Sequence, residues 1–189
     1  MELLSRRAFG LALALGWLPV RVAGQGTPAS GEVLEHEVKA AFVFKFGEFV
    51  DWPAHAFSSP GAPFTIAVLG ADPIAEVLEQ LGKQRRINGR PVVVRRLHRA
   101  EPMAPAHIVF IGAGESDRLR AVADNLKSAS TLTVTETTRP SQPSGVISFV
   151  IRDNRVRFEI DAEAADQAGL KISSKVLSLA VFVKGPRQK

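Results

Sequence analysis

Two apolar runs near the C-terminus flank a two-residue break. Asp153 and Asn154, which form the break, tolerate the positive φ angles of a tight type I′ turn. The second run has a period of two, which is typical of a strand with one dry face. Its apolar positions are Val156, Phe158 and Ile160, and its polar positions are Arg155, Arg157 and Glu159. The pattern therefore predicts an antiparallel hairpin made of VISFVI and RVRFEI.

Two helices are predicted after the hairpin. Asp161 can cap a short alanine-rich helix, and Gly169 suits the left-handed end of that helix. A serine of the Ile172-Ser173-Ser174 segment is placed to cap the last helix. We expect this last helix to be buried on more than one side, because it is apolar almost all round. Its apolar residues are Val176, Leu177, Leu179, Ala180, Val181 and Val183.

A long helix with a wide apolar stripe is predicted near the start of the chain, from Glu32 to Trp52. Val43 and Phe44 lie off that stripe. A helix that is apolar on a second side needs a second partner, either another helix of the same domain or another protein. We therefore regard Val43 and Phe44 as candidates for contacts in a homodimer or with a partner protein. The stripe consists of Leu34, Val38, Ala41, Phe42, Phe46, Phe49 and Val50.

Strand and helix patterns alternate through the middle of the chain. The run FTIAVL, from Phe64 to Leu69, is apolar throughout, as expected for a strand covered on both faces. Further strands are predicted over 92–97, 107–111 and 132–135, and helices begin at Asp72-Pro73 and Ser116, the first ending at Gly82. The order predicts an α/β fold: a single three-layer α-β-α domain with a mixed, largely parallel sheet and a C-terminal antiparallel hairpin followed by two helices.

The N-terminus has the pattern of a secretory signal peptide. Arg6 and Arg7 precede the apolar run FGLALALGWL, and small residues lead up to a cleavage position after Gly24. The run is shorter than the roughly 20 residues that cross a bilayer. The arginine pair also fits a twin-arginine signal, and the choice between the two export routes stays open. We expect a soluble periplasmic protein. The predicted organisation is 1–24 as signal peptide, 25–33 as flexible arm and 34–185 as one domain.

Charge and cysteine content exclude several kinds of function. The formal net charge is +5, and it falls to +3 when the leader takes three arginines and one glutamate with it. Such a small excess does not predict nucleic-acid binding. Cysteine is absent, so the chain can form neither a disulfide nor a thiolate metal site.

The spacing of reactive side chains indicates no catalytic centre. Ser173 and Ser174 lack an SxxK or GxSxG context, and helix capping accounts for one of them. The four histidines have no metal-ligand spacing, so neither a metal nor a cofactor is predicted. The segment 112–116 could hold an anion at a helix start, but it lacks the third glycine of a dinucleotide fingerprint and the lysine of a P-loop. The pattern favours a binding protein over an enzyme.

Three motifs together resemble the YfiR family of small periplasmic proteins from Gram-negative bacteria. They are VKAAFVFKFGEFVDWP, RVRFEID and AGLKISSKVLSLA, and the resemblance runs from about Glu37 to Val183. It implies repression of a membrane diguanylate cyclase through binding of its periplasmic domain, and hence less cyclic di-GMP and less biofilm. It also implies sequestration by an outer-membrane lipoprotein with a peptidoglycan-binding domain. The disulfides that stabilise some relatives have no counterpart here.

Residues inside the matching motifs form the candidate docking surface. The set is Arg157, Phe158, Glu159, Ile172, Ser173 and Ser174. The polar side of the predicted strand also fits a solvated outer face, and Phe158 also fits the core because it shares a face with other apolar residues. Two other classes of function stay open. One is a periplasmic small-molecule-binding sensor component of a transporter or histidine kinase system, and the other is a hydrolase.

Overall fold

The computed structural model describes residues 30–70, 73–97, 105–115, 130–136 and 145–185. Over these residues the chain forms a single α/β domain with a mixed, largely parallel sheet, as predicted. The helices are α1 (Ser30–Phe49), α2 (Ile74–Gln84), α3 (Ala162–Gln167) and α4 (Ser174–Leu177). The strands are β1 (Val50–Asp51), β2 (Phe64–Leu69), β3 (Arg86–Ile87), β4 (Arg90–Leu97), β5 (Ile108–Ile111), β6 (Leu132–Glu136), β7 (Ile147–Arg152), β8 (Arg155–Asp161), β9 (Lys171–Ile172) and β10 (Phe182–Lys184).

Eight of the described strands form the main sheet, in the order β10-β8-β7-β6-β5-β2-β4-β3. The strands from β7 to β4 run parallel to one another, whereas β8 and β3 run antiparallel to their hairpin partners. β10 lies parallel to β8 at one end of the sheet. Strands β2 and β5 are buried along their whole length, as expected for strands covered on both faces. A separate antiparallel ribbon joins β1 to β9.

The predicted C-terminal hairpin is confirmed. Asp153 and Asn154 have φ angles of 50° and 56°, which lie in the left-handed region that a type I′ turn requires. β7 and β8 pair antiparallel along their length on either side of this turn. Asn88 and Gly89 form the corresponding turn between β3 and β4, with φ angles of 49° and 78°.

Helices α1 and α2 pack on one face of the sheet. Phe42 and Phe46 of α1 lie against Phe149 of β7 and Phe158 of β8, with ring centroids 5.1 to 6.1 Å apart. α2 adds its own buried apolar face to the same core. Aromatic side chains bury the largest areas of any residue type, so this cluster is a main source of stability.

The opposite face of the sheet mixes apolar and polar side chains. A small apolar cluster lies on this face. It consists of Ala67 and Leu69 of β2, Val109 and Ile111 of β5, and Ala106, which precedes β5. Beside it, the strand register aligns Thr135, Ser148 and Glu159 across β6, β7 and β8. The helix predicted from Ser116 lies outside the described residues, so the three-layer arrangement stays a prediction.

The predicted apolar stripe of α1 is wrong in part. Leu34 and Val38 are exposed, whereas Ala40 and Gly47 lie on the buried side. A pattern based on large apolar residues does not indicate the buried side of α1, because that side includes the small residues Ala40 and Gly47. A Cβ added at Gly47 would lie 2.7 Å from Ile87 Cδ1, so a glycine is what allows the close approach to β3. α1 also begins at Ser30 and takes in the end of the predicted arm.

Two other helix ends differ from the prediction. Gly82 lies inside α2, which continues to Gln84, and a Cβ at Gly82 would be in ordinary contact with Val92. The last helix is only one turn long, and the chain then forms β10 instead of a buried helix. Leu179 is consequently exposed. The predicted signal peptide lies outside the described residues, and none of the described helices is long and apolar enough to cross a membrane.

Candidate partner-binding site

Strand β8 carries three of the predicted docking residues, and the structure separates them. Arg157 is exposed, whereas Phe158 and Glu159 are 2% and 0% exposed. Phe158 lies in the aromatic cluster under α1, and its ring is 5.1 Å from that of Phe46. The expectation that Phe158 and Glu159 form a docking surface is therefore corrected: both lie inside the domain.

Glu159 belongs to a row of buried polar side chains on the second face of the sheet. The Thr135 and Ser148 hydroxyls lie 2.9 Å apart, and Ser148 is the cross-strand neighbour of Glu159. Arg152 Nη2 donates to Glu159 Oε1 at 3.4 Å. A period-two pattern shows which residues share a face, but it does not show that a polar face is covered. For this reason the sequence pattern predicted an accessible side chain at Glu159.

Val43 and Phe44 also lie inside the domain. They are 0% and 1% exposed and belong to the core that α1 and α2 build on the sheet. The sequence left open whether they contact another helix of the same domain or another protein, and in the structure they pack within the same domain. The expectation of a homodimer or partner contact through these two side chains is thus wrong.

The segment after α3 brings the remaining candidates together. Ile172 of β9 pairs with Val50 of β1, and the Ser173 N–H donates to the Phe49 carbonyl at 3.0 Å. Ile172 packs half-buried against the core, and Ser174 is exposed at the start of α4. These bonds attach the start of α4 firmly to the end of α1.

Ser173 occupies the capping position of α4 without making the capping bond. Its backbone is extended there, as an N-cap residue requires, but its side chain makes no cap hydrogen bond. Its hydroxyl oxygen is buried and has no hydrogen-bond partner among the described residues. The predicted position is therefore confirmed, and the predicted capping bond is absent.

Leu179 is a surface residue that the sequence did not single out. It follows α4 directly, its N–H donates to the Val176 carbonyl, and its side chain is 63% exposed. The sequence assigned it to a buried helix because the whole segment is apolar. We call the accessible surface of Ile172, Ser174 and Leu179 the α4 corner.

Arg157 does not belong to the α4 corner. Phe158 points toward α1, so its neighbour Arg157 projects from the opposite face of the sheet. Ile172 packs against the core on the α1 face. The six predicted residues thus divide into a buried pair, an exposed arginine on one face, and the Ile172-Ser173-Ser174 segment, which contributes Ile172 and Ser174 to the α4 corner.

His107 lies just before β5, between the half-buried ring of Phe57 and the buried ring of Phe64. Phe57 and Phe64 stack on its two sides at 4.4 and 4.8 Å between centroids. Burial lowers the pKa of His107, and the positive charge of Arg90 lowers it further. Among the described residues no three His, Cys, Asp or Glu side chains are grouped so as to hold a metal ion.

An exposed apolar corner that is held rigidly on an α/β domain is a surface suited to contact another protein. The fold defines the class of protein, a small α/β domain, and the α4 corner is its candidate surface for contact with another protein. The model of the YfiR/HmsC-like family matches residues 36–181, and the chain belongs to this family. Members of the family are periplasmic regulators of diguanylate cyclase signalling, and the family is regulatory rather than catalytic. Comparison with curated proteins gives no significant match.

Proposed function

We propose that this protein represses an inner-membrane diguanylate cyclase by binding its periplasmic domain. Binding would lower cyclic di-GMP in the cytoplasm and thereby reduce biofilm formation. The observation that carries the proposal is the family match over 36–181, which covers most of α1 and the whole α4 corner. A peptidoglycan-binding lipoprotein of the outer membrane that competes for the repressor would release the cyclase.

The α4 corner is the surface that we assign to the cyclase. Burying an exposed leucine side chain contributes about 1.5–3 kcal/mol. Reversing a 99:1 population of active and inactive cyclase requires about 5.5 kcal/mol of preference for the inactive state. Leu179 alone does not supply this difference, so Ile172 and Ser174 must share the contact. Repression by this route depends on the contact being made in the inactive state of the cyclase only.

Leu179→Asp tests this surface with little risk to the fold. The side chain is 63% exposed, whereas Ile172 packs partly against the core, so a change at Ile172 would also alter stability. Leu34→Asp is the matched control, because Leu34 is 60% exposed near the opposite end of α1 from α4. Each variant replaces the natural protein in a deletion strain. Cyclic di-GMP is then measured, and membrane proteins crosslinked to a tagged copy are identified.

We expect deletion to raise cyclic di-GMP and the natural protein to capture a cyclase. Leu179→Asp should fail to restore the low level, whereas Leu34→Asp should restore it. Normal repression by Leu179→Asp would show that the docking surface lies outside the α4 corner. Capture of a transporter or kinase, with cyclic di-GMP unchanged on deletion, would contradict repression and favour the small-molecule sensor function. The size of the captured complex also tests whether a homodimer binds.

A further inference from the structure

Among the described strands, the outer edge of β4 has a partner only at its start. β3 pairs with Arg90 and Pro91, while β2 pairs along the other side of β4 from Val92 to Leu97. No described strand pairs with the outer side of β4 beyond Pro91. Such an edge presents backbone donors and acceptors that another extended chain can use.

Strand geometry identifies the groups that face this open side. In a two-residue hairpin the residues next to the turn exchange hydrogen bonds, so the backbone groups of Arg90 point toward β3. Backbone groups alternate along a strand, so those of Val92, Val94 and Arg96 point the same way. The Gly70 N–H donates to the Leu97 carbonyl at 3.0 Å, on the β2 side, which agrees with this assignment.

The end of α2 shields the first of these residues. A Cβ added at Gly82 would lie 3.5 Å from the Val92 carbonyl oxygen, so the end of α2 lies close to the outward-facing backbone of Val92. Val94 and Arg96 are further along the strand, where Glu79 of α2 bonds the side chain of Arg96 rather than its backbone groups. The N–H and C=O groups of these two residues are thus the ones that an added strand would use.

The edge is also strongly basic. The segment 82–97 contains six basic residues and no acidic residue. Two of the six are held by other side chains, since Arg96 Nε donates to Glu79 at 2.8 Å and the Arg90 guanidinium lies 3.9 Å from the centroid of Phe57. The other four are exposed and form no salt bridge with any described residue. They are Lys83, Arg85, Arg86 and Arg95.

We propose that the outer edge of β4 is a docking site for an extended, acidic segment of a partner protein, which joins the sheet as an added strand. Main-chain hydrogen bonds to Val94 and Arg96 would supply the register, and the four unpaired cations would select acidic side chains. β4 and β8 lie near opposite ends of the sheet, and the proposal does not depend on the cyclase function.

Repulsion between like charges disfavours a second copy of this chain as the occupant. An antiparallel β4 pair would bring the unpaired cations of both copies together, and like charges in neighbouring strands are destabilising. Charged side chains are one feature by which edge strands avoid pairing with themselves. An acidic strand has the opposite charge and meets no such repulsion.

The first test uses a fluorescent eight-residue peptide of alternating Glu and Val, with a Lys-Val peptide as its counterpart. We expect the Glu-Val peptide to bind the full-length mature protein at low salt, measured by anisotropy, and the Lys-Val peptide not to bind. Amide exchange should slow at Val94 and Arg96 when the peptide is present. Binding without protection of these amides would overturn the strand-addition geometry.

Val94→Pro separates backbone pairing from charge. It removes an outward-facing N–H, leaves all charges in place and does not touch the hydrogen bonds to β2. We expect affinity to fall by about five-fold or more, since one hydrogen bond and the fit of the added strand are lost. Equal affinity, in a variant whose thermal unfolding shows it to be folded, would overturn the proposal.

Arg95→Glu and Arg155→Glu test the location of the charge. Both arginines are exposed, but Arg155 lies on β8, away from the β4 edge. Arg95→Glu should weaken binding of the Glu-Val peptide several-fold, and Arg155→Glu should leave it nearly unchanged. Equal weakening would show attraction by net charge alone and would overturn a site on β4. A dimer that protects the Val94 amide without peptide would overturn the choice of occupant.

Discussion

The Nδ1 atom of His107 accepts a hydrogen bond from the backbone N–H of Thr65 at 2.9 Å. Nδ1 therefore carries no proton, and the ring is the neutral tautomer whose Nε2–H donates to the Ala56 carbonyl at 3.1 Å. Protonation would set a new N–H against the Thr65 N–H and would bury a charge between Phe57 and Phe64. Burial, followed by the positive charge of Arg90, lowers the pKa of His107.

We expect acid to destabilise the protein through His107. Because the pKa is lower in the folded state, the unfolded chain binds the proton first. The contribution of neutral His107 is complete above the ordinary histidine pKa of about 6.5, and it is lost as the pH falls below that toward the depressed pKa. Melting temperatures between pH 8 and pH 5 measure this loss.

Histidine variants identify the group responsible for the acid effect. His107→Gln should unfold at a lower temperature than the natural protein at pH 8, and its melting temperature should depend less on pH. His36→Gln is the control, since His36 lies on α1, away from the aromatic stack. A pH dependence that His107→Gln leaves unchanged would assign the acid effect to other groups.

Local patterns predicted most of the fold because they report local backbone geometry. The Asp153-Asn154 turn, the apolar strand β2 and the capping of α3 by Asp161 each depend on a few consecutive residues. These features are set by φ preferences, hydrophobic period and short-range hydrogen bonds. The same holds for the left-handed end of α3 at Gly169, where φ is 70°.

Features that depend on distant residues were not predictable in this way. Glu159 is buried although it lies on the polar side of its strand, and its neighbours Ser148 and Arg152 belong to another strand, β7. Leu179 is exposed because the chain turns after α4 to place β10 beside β8, which apolarity alone does not indicate. The sequence therefore singled out the Ile172-Ser173-Ser174 segment, whose role in docking stays a prediction, but it did not show which of the candidate side chains are accessible.

Phe158 is expected to act through stability and not through docking. Removing its ring leaves a cavity beside Phe42 and Phe46, so Phe158→Ala should lower the free energy of unfolding by about 3–5 kcal/mol. Ile151→Ala is the control, since Ile151 is on the neighbouring strand and exposed. Chemical denaturation gives both values. A small loss at Phe158, combined with weaker partner capture, would restore its role in docking.

Ser173→Ala should be tolerated or stabilising. The hydroxyl oxygen of Ser173 is buried without a hydrogen-bond partner among the described residues, so its removal relieves a desolvation cost of about 1 kcal/mol. The backbone bond from Ser173 to Phe49 is unaffected. Denaturation of this variant is compared with that of Ser174→Ala, where the hydroxyl is on an exposed residue. A loss above about 1 kcal/mol at Ser173 alone would show that the hydroxyl has a structural partner.

Asp161 joins two parts of the C-terminal region through its two carboxylate oxygens. Oδ1 accepts the Ala164 N–H at 3.0 Å and so caps α3, while Oδ2 lies 2.6 Å from Lys184 Nζ on β10. We expect Asp161→Ala to cost about 1–2 kcal/mol through the cap, and more through the ion pair. Asp161→Asn keeps an oxygen for the cap and loses the charge, so it should cost less.

Comparing the stabilities of the two Asp161 variants separates the cap of α3 from the ion pair that links α3 to β10. Amide exchange shows where each loss falls: Asp161→Ala should expose the amide of Ala164 and those of β10, whereas Asp161→Asn should expose mainly those of β10. Lys184→Met removes the same ion pair from the other side and should resemble Asp161→Asn, because the cap is untouched. If Lys184→Met left the β10 amides protected, pairing with β8 alone would hold the strand, and the ion pair would be a surface contact of little energy.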